Sequence, residues 1–272
     1  MIFREHWTEF MFAAMAVVFL ILFHFSLTWF GKYFDSINKG INALLSQQPE
    51  PIKMPKEMRF VEENLQTVQR TLAEQRKEAE LAEQIDAFFL AHGGKQVGQY
   101  QVVCYGANAA QPHHMSDNTL PRPGDSVLID LVCPINDYWC DMTRTVFYHQ
   151  VSEQHRQVYE VVRRAQQAGI DFVRPGVRMS QIDAAVRQVI VDAGYGAAFI
   201  TRTGHGIGLM VHEPPDVSIS CDVVAQEGMV FSIEPGIYLP GDTGVRIEDL
   251  VLVTADGCEV LTHYPKELQI IS

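Results

Sequence analysis

The stretch DLVCPINDYWCDMTRT, residues 130–145, sets two aspartates beside two β-rich runs. Residues 126–132 read as an apolar strand that carries Asp130 near its end, and residues 143–149 as its partner strand. Asp130 is embedded in apolar sequence, and a carboxylate buried there needs a partner or a metal. Three further candidates follow: His205 in HGIGLMVHE, Glu234 in the apolar run VFSIEPG, and Glu248 in VRIED. Gly204, Gly206 and Gly208 flank His205 and allow close backbone approach. This GxGxG has no βαβ unit and no later ribose-binding acid around it, so it is not a dinucleotide fingerprint.

Around these residues the chain reads as strands, then helices, then strands. A helix over 81–91 is stopped by Gly93-Gly94. A short strand is predicted over 100–105 and a loop over 106–114. Helices follow over 153–172 and from an N-cap at Ser180, with Asp183 three residues later, to Gly194. Pro175-Gly176 separates the two. Strands are expected around 208–212, 228–238 and 245–254. This is an α+β pattern with a mixed or antiparallel sheet. The net charge of −12 argues against nucleic acid as a partner. The five cysteines are odd in number and form no CxxC pair, which fits free thiols in a reducing compartment.

Taken singly, each acid has an ordinary reading as a turn, cap or solvent-facing residue, and a lone histidine fills many roles. The set points further. Oxygen-rich ligands with one imidazole suit a borderline-hard divalent ion such as Mn²⁺, Fe²⁺, Co²⁺ or Zn²⁺. Four carboxylates match the charge of two divalent cations, which can share a bridging hydroxide as nucleophile.

From about residue 80 onward the chain resembles the pita-bread metallopeptidases, which include methionine aminopeptidase, proline aminopeptidase, prolidase and the metal-free creatinase. DMTRT, HGIG, VHEP and IEPGIY carry the likeness. The TRT after Asp141 and the PHH loop at 112–114 lean toward the Xaa-Pro peptidases. The resemblance implies Asp130, Asp141, His205, Glu234 and Glu248 as ligands of two metal ions, Mn or Co first, Zn or Fe next. It implies hydrolysis of a peptide with proline in the second position, by an aminopeptidase or dipeptidase. Glu234 would double as proton shuttle, His212 would hold the scissile carbonyl region, His113 would contact substrate beside the proline, and Arg246 would brace the ligands. The chain departs from many relatives at Thr201, where they carry histidine, at Met210, where they carry an acid, and at Cys140. The family domain has two similar halves, and here the first half is expected to be truncated, lacking its leading helix.

The N-terminal part reads differently. Residues 10–30, FMFAAMAVVFLILFHFSLTWF, hold no formal charge and are long enough for a transmembrane helix, with Trp7 and Trp29 near its ends. Lys32, Lys39, Lys53 and Lys56 follow it, so the long C-terminal part is expected in the cytoplasm, anchored to the cell membrane by one pass. Residues 57–84 read as a charged helix with a narrow apolar stripe, which suits a homodimer seam or a helix docked on its own chain. YFDSIN at 33–38, PKEM at 55–58 and VEENLQTVQRTL at 61–72 resemble the membrane and linker region of bacterial sensor histidine kinases, closest to the glycopeptide-resistance sensors. That family's phospho-acceptor box is missing: His92 is followed by Gly93, and no Lys-Thr-Pro occurs. No kinase activity is expected. The resulting layout is a span over 1–31, a linker over 32–80 and a catalytic domain over 81–272. The alternative is a non-catalytic membrane sensor or interaction fragment carrying a degenerate peptidase domain.

Overall fold

In the computed structural model, which describes residues 76–95 and 101–271, a helix α1 (Glu78–Ala91) leads into β1 (Val102–Tyr105) and a long hairpin, β2 (Ser126–Ile135) and β3 (Tyr138–Tyr148). Asn136 and Asp137 close the hairpin with φ of 50° and 69°. A two-residue hairpin turn of the primed type needs positive φ at its centre, which Asn and Asp tolerate better than other side chains. The tight turn lets both strands run further than the expected 126–132 and 143–149, so Asp141 lies inside β3. Asp130 faces Thr143, and Asp141 faces Val132. Side chains alternate along a strand, so Asp130, Asp141 and Thr143 share one face. Ile129, Leu131, Cys133, Cys140 and Met142 occupy the other, packed against Leu81, Ile85 and Phe89 of α1.

α1 does not continue a helix from residue 57. Lys77 is its N-cap, with extended backbone, and its N–H donates to Glu80 Oε2. Next come α2 (Glu153–Phe172), capped by the Ser152 hydroxyl, and α3 (Met179–Asp192). The α3 cap is Arg178 and not Ser180: the Arg178 N–H donates to Gln181 Oε1 at 2.9 Å. Asp183 is instead fully buried and accepts from Thr203 Oγ1 at 2.7 Å and from Arg187.

The C-terminal part holds β4 (Gly204–Gly206), β5 (Glu213–Val217), β6 (Val230–Ile233), β7 (Gly236–Leu239), β8 (Thr243–Arg246), β9 (Asp249–Val253), β10 (Cys258–Val260) and β11 (Ile270–Ile271). One sheet has the order β1-β2-β3-β11, a second β10-β9-β6-β4-β5, and β7-β8 pair separately. All neighbours are antiparallel except β3 and β11, so the mixed α+β expectation holds. No strand forms over 208–212, which is a bend between β4 and β5. Its Leu209 and Met210 are exposed at 66% and 62% rather than packed. The runs 228–238 and 245–254 each break in two, at Glu234-Pro235 and at Ile247-Glu248. Pro235 has no N–H to continue a ladder. At both breaks the chain passes between the five-stranded sheet and the β7-β8 pair, and Ile233 faces Asp249 while Gly236 faces Arg246.

α2 and α3 pack together over β7-β8 through Val158, Val162, Val186, Ile190, Ile237 and Val245, and over the five-stranded sheet through Ile170, Ile182, Phe231 and Ile233. All five cysteines are free. The expected span at 10–30, the linker up to residue 75, its dimer seam and the place of the missing leading helix lie outside the described residues. Among the described residues no helix is long and apolar enough to cross a membrane.

A buried ion pair ties the sheets together. Arg144 on β3, 2% exposed, donates from Nη2 to Asp249 Oδ1 on β9 at 2.6 Å and to Tyr264 O at 2.8 Å. Its Nη1 donates to Glu248 O at 2.5 Å. Asp249 also accepts from Thr262, Gln166 and Lys266. Burial alone would raise the Asp249 carboxyl, but Arg144 and Lys266 hold it below the usual carboxylate range. Removing one partner of such a pair strands the other charge. Asp249→Ala should therefore destabilise the fold by about 3–5 kcal/mol, read as a lowered urea midpoint; a midpoint within error of wild type would rule out a structural role for the pair.

Candidate metal centre

The four acids and His205 reach one place from four directions. Asp130 and Asp141 project from the hairpin face, His205 from β4, Glu234 from the end of β6, and Glu248 from the junction before β9. Local backbone contacts set the positions. The Glu248 N–H donates to Thr143 O at 3.1 Å, and the Glu234 N–H to Thr203 O at 2.7 Å. β4 runs close to β6 because Gly204 has no Cβ: one there would lie 1.9 Å from Ser232 O. The Ser232 hydroxyl then accepts from the His205 N–H at 3.0 Å and donates to Glu234 Oε1 at 3.1 Å.

All five residues line one cleft of about 740 Å³, together with His113, His212 and Arg246. Asp141, His205 and Glu248 each offer a ligand atom within 4.8 Å of the others. His205 Nε2 lies 3.2 Å from Glu234 Oε1 and 3.7 Å from Asp141 Oδ2. Its Nδ1 faces Gly206 O at 3.1 Å, which assigns the proton to Nδ1 and leaves Nε2 as a lone pair aimed at the acids. Burial lowers the His205 pKa, so the ring is neutral, as a ligand must be.

Arg246 organises the carboxylates from behind. Its Nη2 donates to Asp130 Oδ2 at 2.5 Å, its Nε to Thr143 Oγ1 at 3.0 Å, and its Nη1 to the Tyr238 hydroxyl at 3.2 Å. Thr143 passes the contact on by donating to Glu248 Oε2 at 2.6 Å. Thr143 and Tyr238 carry weight here that their sequence neighbourhoods did not reveal. Thr143 lay inside the DMTRT motif, but its partners are more than 100 residues away. Arg202 also lines the cleft and was not singled out. His212 is exposed at the rim, its ring 4.2 Å from that of His205 and nearly perpendicular to it. His113 reaches the cleft on the 106–120 loop.

The donor set fits divalent cations. Asp130 Oδ1, Asp141 Oδ1 and Glu248 Oε1 are buried with no hydrogen-bond partner among the described residues. Such atoms are costly unless something positive meets them. Burial, and after it the neighbouring carboxylates, push Asp141 and Glu248 well above the ordinary carboxylate range. Glu234 is also raised, chiefly by burial.

A raised carboxyl in the folded state means that the folded protein binds more protons than the unfolded chain. That penalty is absent below the unfolded value of about 4 and grows as pH rises toward the folded value. Metal-free Glu248→Gln should therefore be more stable than metal-free wild type at pH 7, with the gap closing as pH falls toward 4. Saturating Mn²⁺ should raise the melting temperature of wild type more than that of the variant. A variant no more stable than wild type at pH 7 would contradict this account of Glu248.

Residues 53–255 match Metallopeptidase family M24, a match that starts inside the kinase-like stretch and upstream of the boundary read at residue 81. An Xaa-Pro dipeptidase of Lactobacillus delbrueckii subsp. lactis is 47% identical over 182 residues, 67% of this chain and 50% of that protein. An Xaa-Pro dipeptidase of Pyrococcus furiosus is 33% identical over 237 residues, 87% of this chain and 68% of that protein. The crystal structure of the prolidase from Pyrococcus horikoshii superposes with a TM-score of 0.77 at 34% identity, covering 81% of this chain and 64% of that one. The chain spans about half the length of the first two curated relatives it matches. With the fold, the cleft and a family match over most of its length in agreement, the chain belongs to metallopeptidase family M24.

Proposed function

We propose that the chain is a metal-dependent exopeptidase that hydrolyses Xaa-Pro bonds. The observation that carries this is the convergence of Asp141, His205 and Glu248 in a cleft where three buried carboxylate oxygens lack partners. The names of the similar proteins, Xaa-Pro dipeptidases and a prolidase, support the substrate class. Two divalent cations, Mn or Co first, held by Asp130, Asp141, His205, Glu234 and Glu248, would polarise a carbonyl and activate water.

The chain's own residues do the rest. Glu234, its carboxyl raised by burial and its Oε1 oriented by Ser232, can take a proton and return it to the leaving proline nitrogen. The pKa of His212 is lowered, by partial burial and then by His205, so its neutral ring can donate a hydrogen bond to an oxygen gaining charge. His113 meets the substrate from the loop side. Arg246 fixes Asp130 directly and Glu248 through Thr143, so the ligand oxygens are set before substrate arrives. The complete ligand cluster fits an enzyme better than a degenerate passenger domain.

The family match from residue 53 supports reading residues 57–76, ahead of α1, as part of the peptidase domain rather than a separate kinase linker. Residues 10–30 would anchor the domain to the membrane on its cytoplasmic side, on the strength of their charge-free length and the lysines that follow. The narrow apolar stripe at 57–80 suits pairing of two copies.

Full-length chain loaded with Mn²⁺ or Co²⁺ should cleave an Xaa-Pro dipeptide or an N-terminal Xaa-Pro peptide. Glu234→Gln should lower kcat by roughly 10²–10⁴-fold, and His212→Ala by about 10²-fold or more without loss of bound metal. No turnover on either peptide after full loading would sink the proposal.

A further inference from the structure

Glu78 is the one fully buried carboxylate, among those described, that neither lines the cleft nor joins the Arg144 or Asp183 networks. It stands in the first turn of α1, yet its side chain serves a different element. Oε1 accepts from the Tyr105 N–H at 2.6 Å and from Asn108 Nδ2 at 3.0 Å. Oε2 accepts from the Asp117 N–H at 3.0 Å and from Asn108 Nδ2 at 3.1 Å. Tyr105 and Asp117 sit on the two arms of the loop that carries His113. The helix backbone adds two more ties to the outer arm: the Glu78 N–H donates to Thr119 O at 3.1 Å and the Ala79 N–H to Asp117 O at 2.9 Å.

The opposite side of the loop rests on β8. A Cβ at Gly244 would lie 1.7 Å from Ala109 O, so only glycine admits the loop there. Arg246 Nη1 approaches Pro112 O at 3.5 Å, next to His113. The loop is thus held between a carboxylate on one side and the metal-centre arginine on the other, with His113 at its tip facing the cleft.

His114 and Asp117 lie near Glu78, at 3.5 Å for His114 Nε2, and the three could be read as a second cation site. The hydrogen bonds argue otherwise. Both Glu78 oxygens already face N–H donors, and charge-assisted bonds of this kind hold geometry well. Burial raises the Glu78 carboxyl, and the N–H donors of Asp117, Tyr105 and Asn108 act against that rise.

We propose that Glu78 is a positioning residue for the peptidase reaction: by clamping both arms of the 106–120 loop it sets His113 at the height where substrate proline would sit. This rests on the peptidase reading above. A misplacement of about 1 Å in a catalytic group can cost on the order of 10²-fold in rate. Glu78→Gln keeps the volume but turns one acceptor into an amide donor facing N–H groups.

The test uses the full-length, Mn²⁺-loaded chain as wild type, Glu78→Gln, Asn108→Ala, His113→Ala and the Glu78→Gln/His113→Ala pair. Hydrogen exchange should quicken at the amides of 105–119 in Glu78→Gln and, more weakly, in Asn108→Ala, while β2 and β3 stay protected. Metal stoichiometry by titration calorimetry should not change. kcat/KM for an Xaa-Pro dipeptide should fall on the order of 10-fold to 10²-fold in Glu78→Gln, and the double variant should be no worse than His113→Ala alone. Losses that multiply in the double variant, unchanged exchange in the loop, or loss of bound metal would each overturn the proposal. If Glu78→Gln fails to fold, Asn108→Ala and its pair with His113→Ala decide by the same criteria. If wild type cleaves neither an Xaa-Pro dipeptide nor a longer Xaa-Pro peptide, the peptidase reading fails. The exchange result then decides on its own whether Glu78 holds the loop.

Discussion

Repulsion between buried carboxylates is the constraint around which the structure is arranged. Asp141, Glu234 and Glu248 stand within reach of His205 at one cleft, Asp141 and Glu248 almost fully buried. Left alone, such groups would protonate or move apart. Three of the four acids are held from behind. Asp130 is tied to Arg246, Glu248 to Thr143, and Glu234 to Ser232. Even the backbone helps, since Glu248 and Glu234 sit at the two junctions between sheets. The fold supplies the geometry, and the charge excess is left for cations to offset.

The same economy appears in how the two sheets are joined. The hairpin carries two acids and the five-stranded sheet, with its junctions, carries the rest. A small displacement of one sheet against the other would spread the ligands. Arg144 prevents this by reaching from β3 to Asp249 and to the Glu248 carbonyl at once. Its positive charge is spent on Asp249 beneath the cleft. The charge nearest the ligands is left to Arg246, which touches only Asp130 among them directly.

Much of this was legible in the sequence, and the reason is local. The five candidate ligands lie in short motifs whose glycines, prolines and apolar flanks mark them, and the cleft gathers all five. The two long helices follow from apolar periodicity. What failed depends on contacts between distant residues. Thr143 and Tyr238 look ordinary until β3 and β8 lie beside each other. Ser180 and Asp183 have the spacing of a cap, but Asp183 is drawn inward by Thr203. The apolar run at 208–212 reads as a strand but forms the rim between β4 and β5. Charge pattern could not reveal Glu78, because a Glu in a first helical turn is common on ordinary grounds.

The hairpin turn at Asn136 and Asp137 has a consequence for folding fidelity. Along β2 and β3 oxygen ligands and sulfur side chains alternate: Asp130 and Asp141 face the cleft, while Cys133, Cys140 and Met142 face α1. Burial pushes the two thiols up to about 11 and about 12, so they stay protonated and uncharged in that core. A slip of one residue in one strand would turn that strand inside out. It would offer soft sulfur to the cleft and bury an aspartate among apolar side chains, with no partner for its charge. The misregistered hairpin would lose both core packing and ion binding in one step. Proofreading of the strand pair is thus built into the identity of its alternate side chains, and the turn needs only to be short enough to make the choice all-or-none.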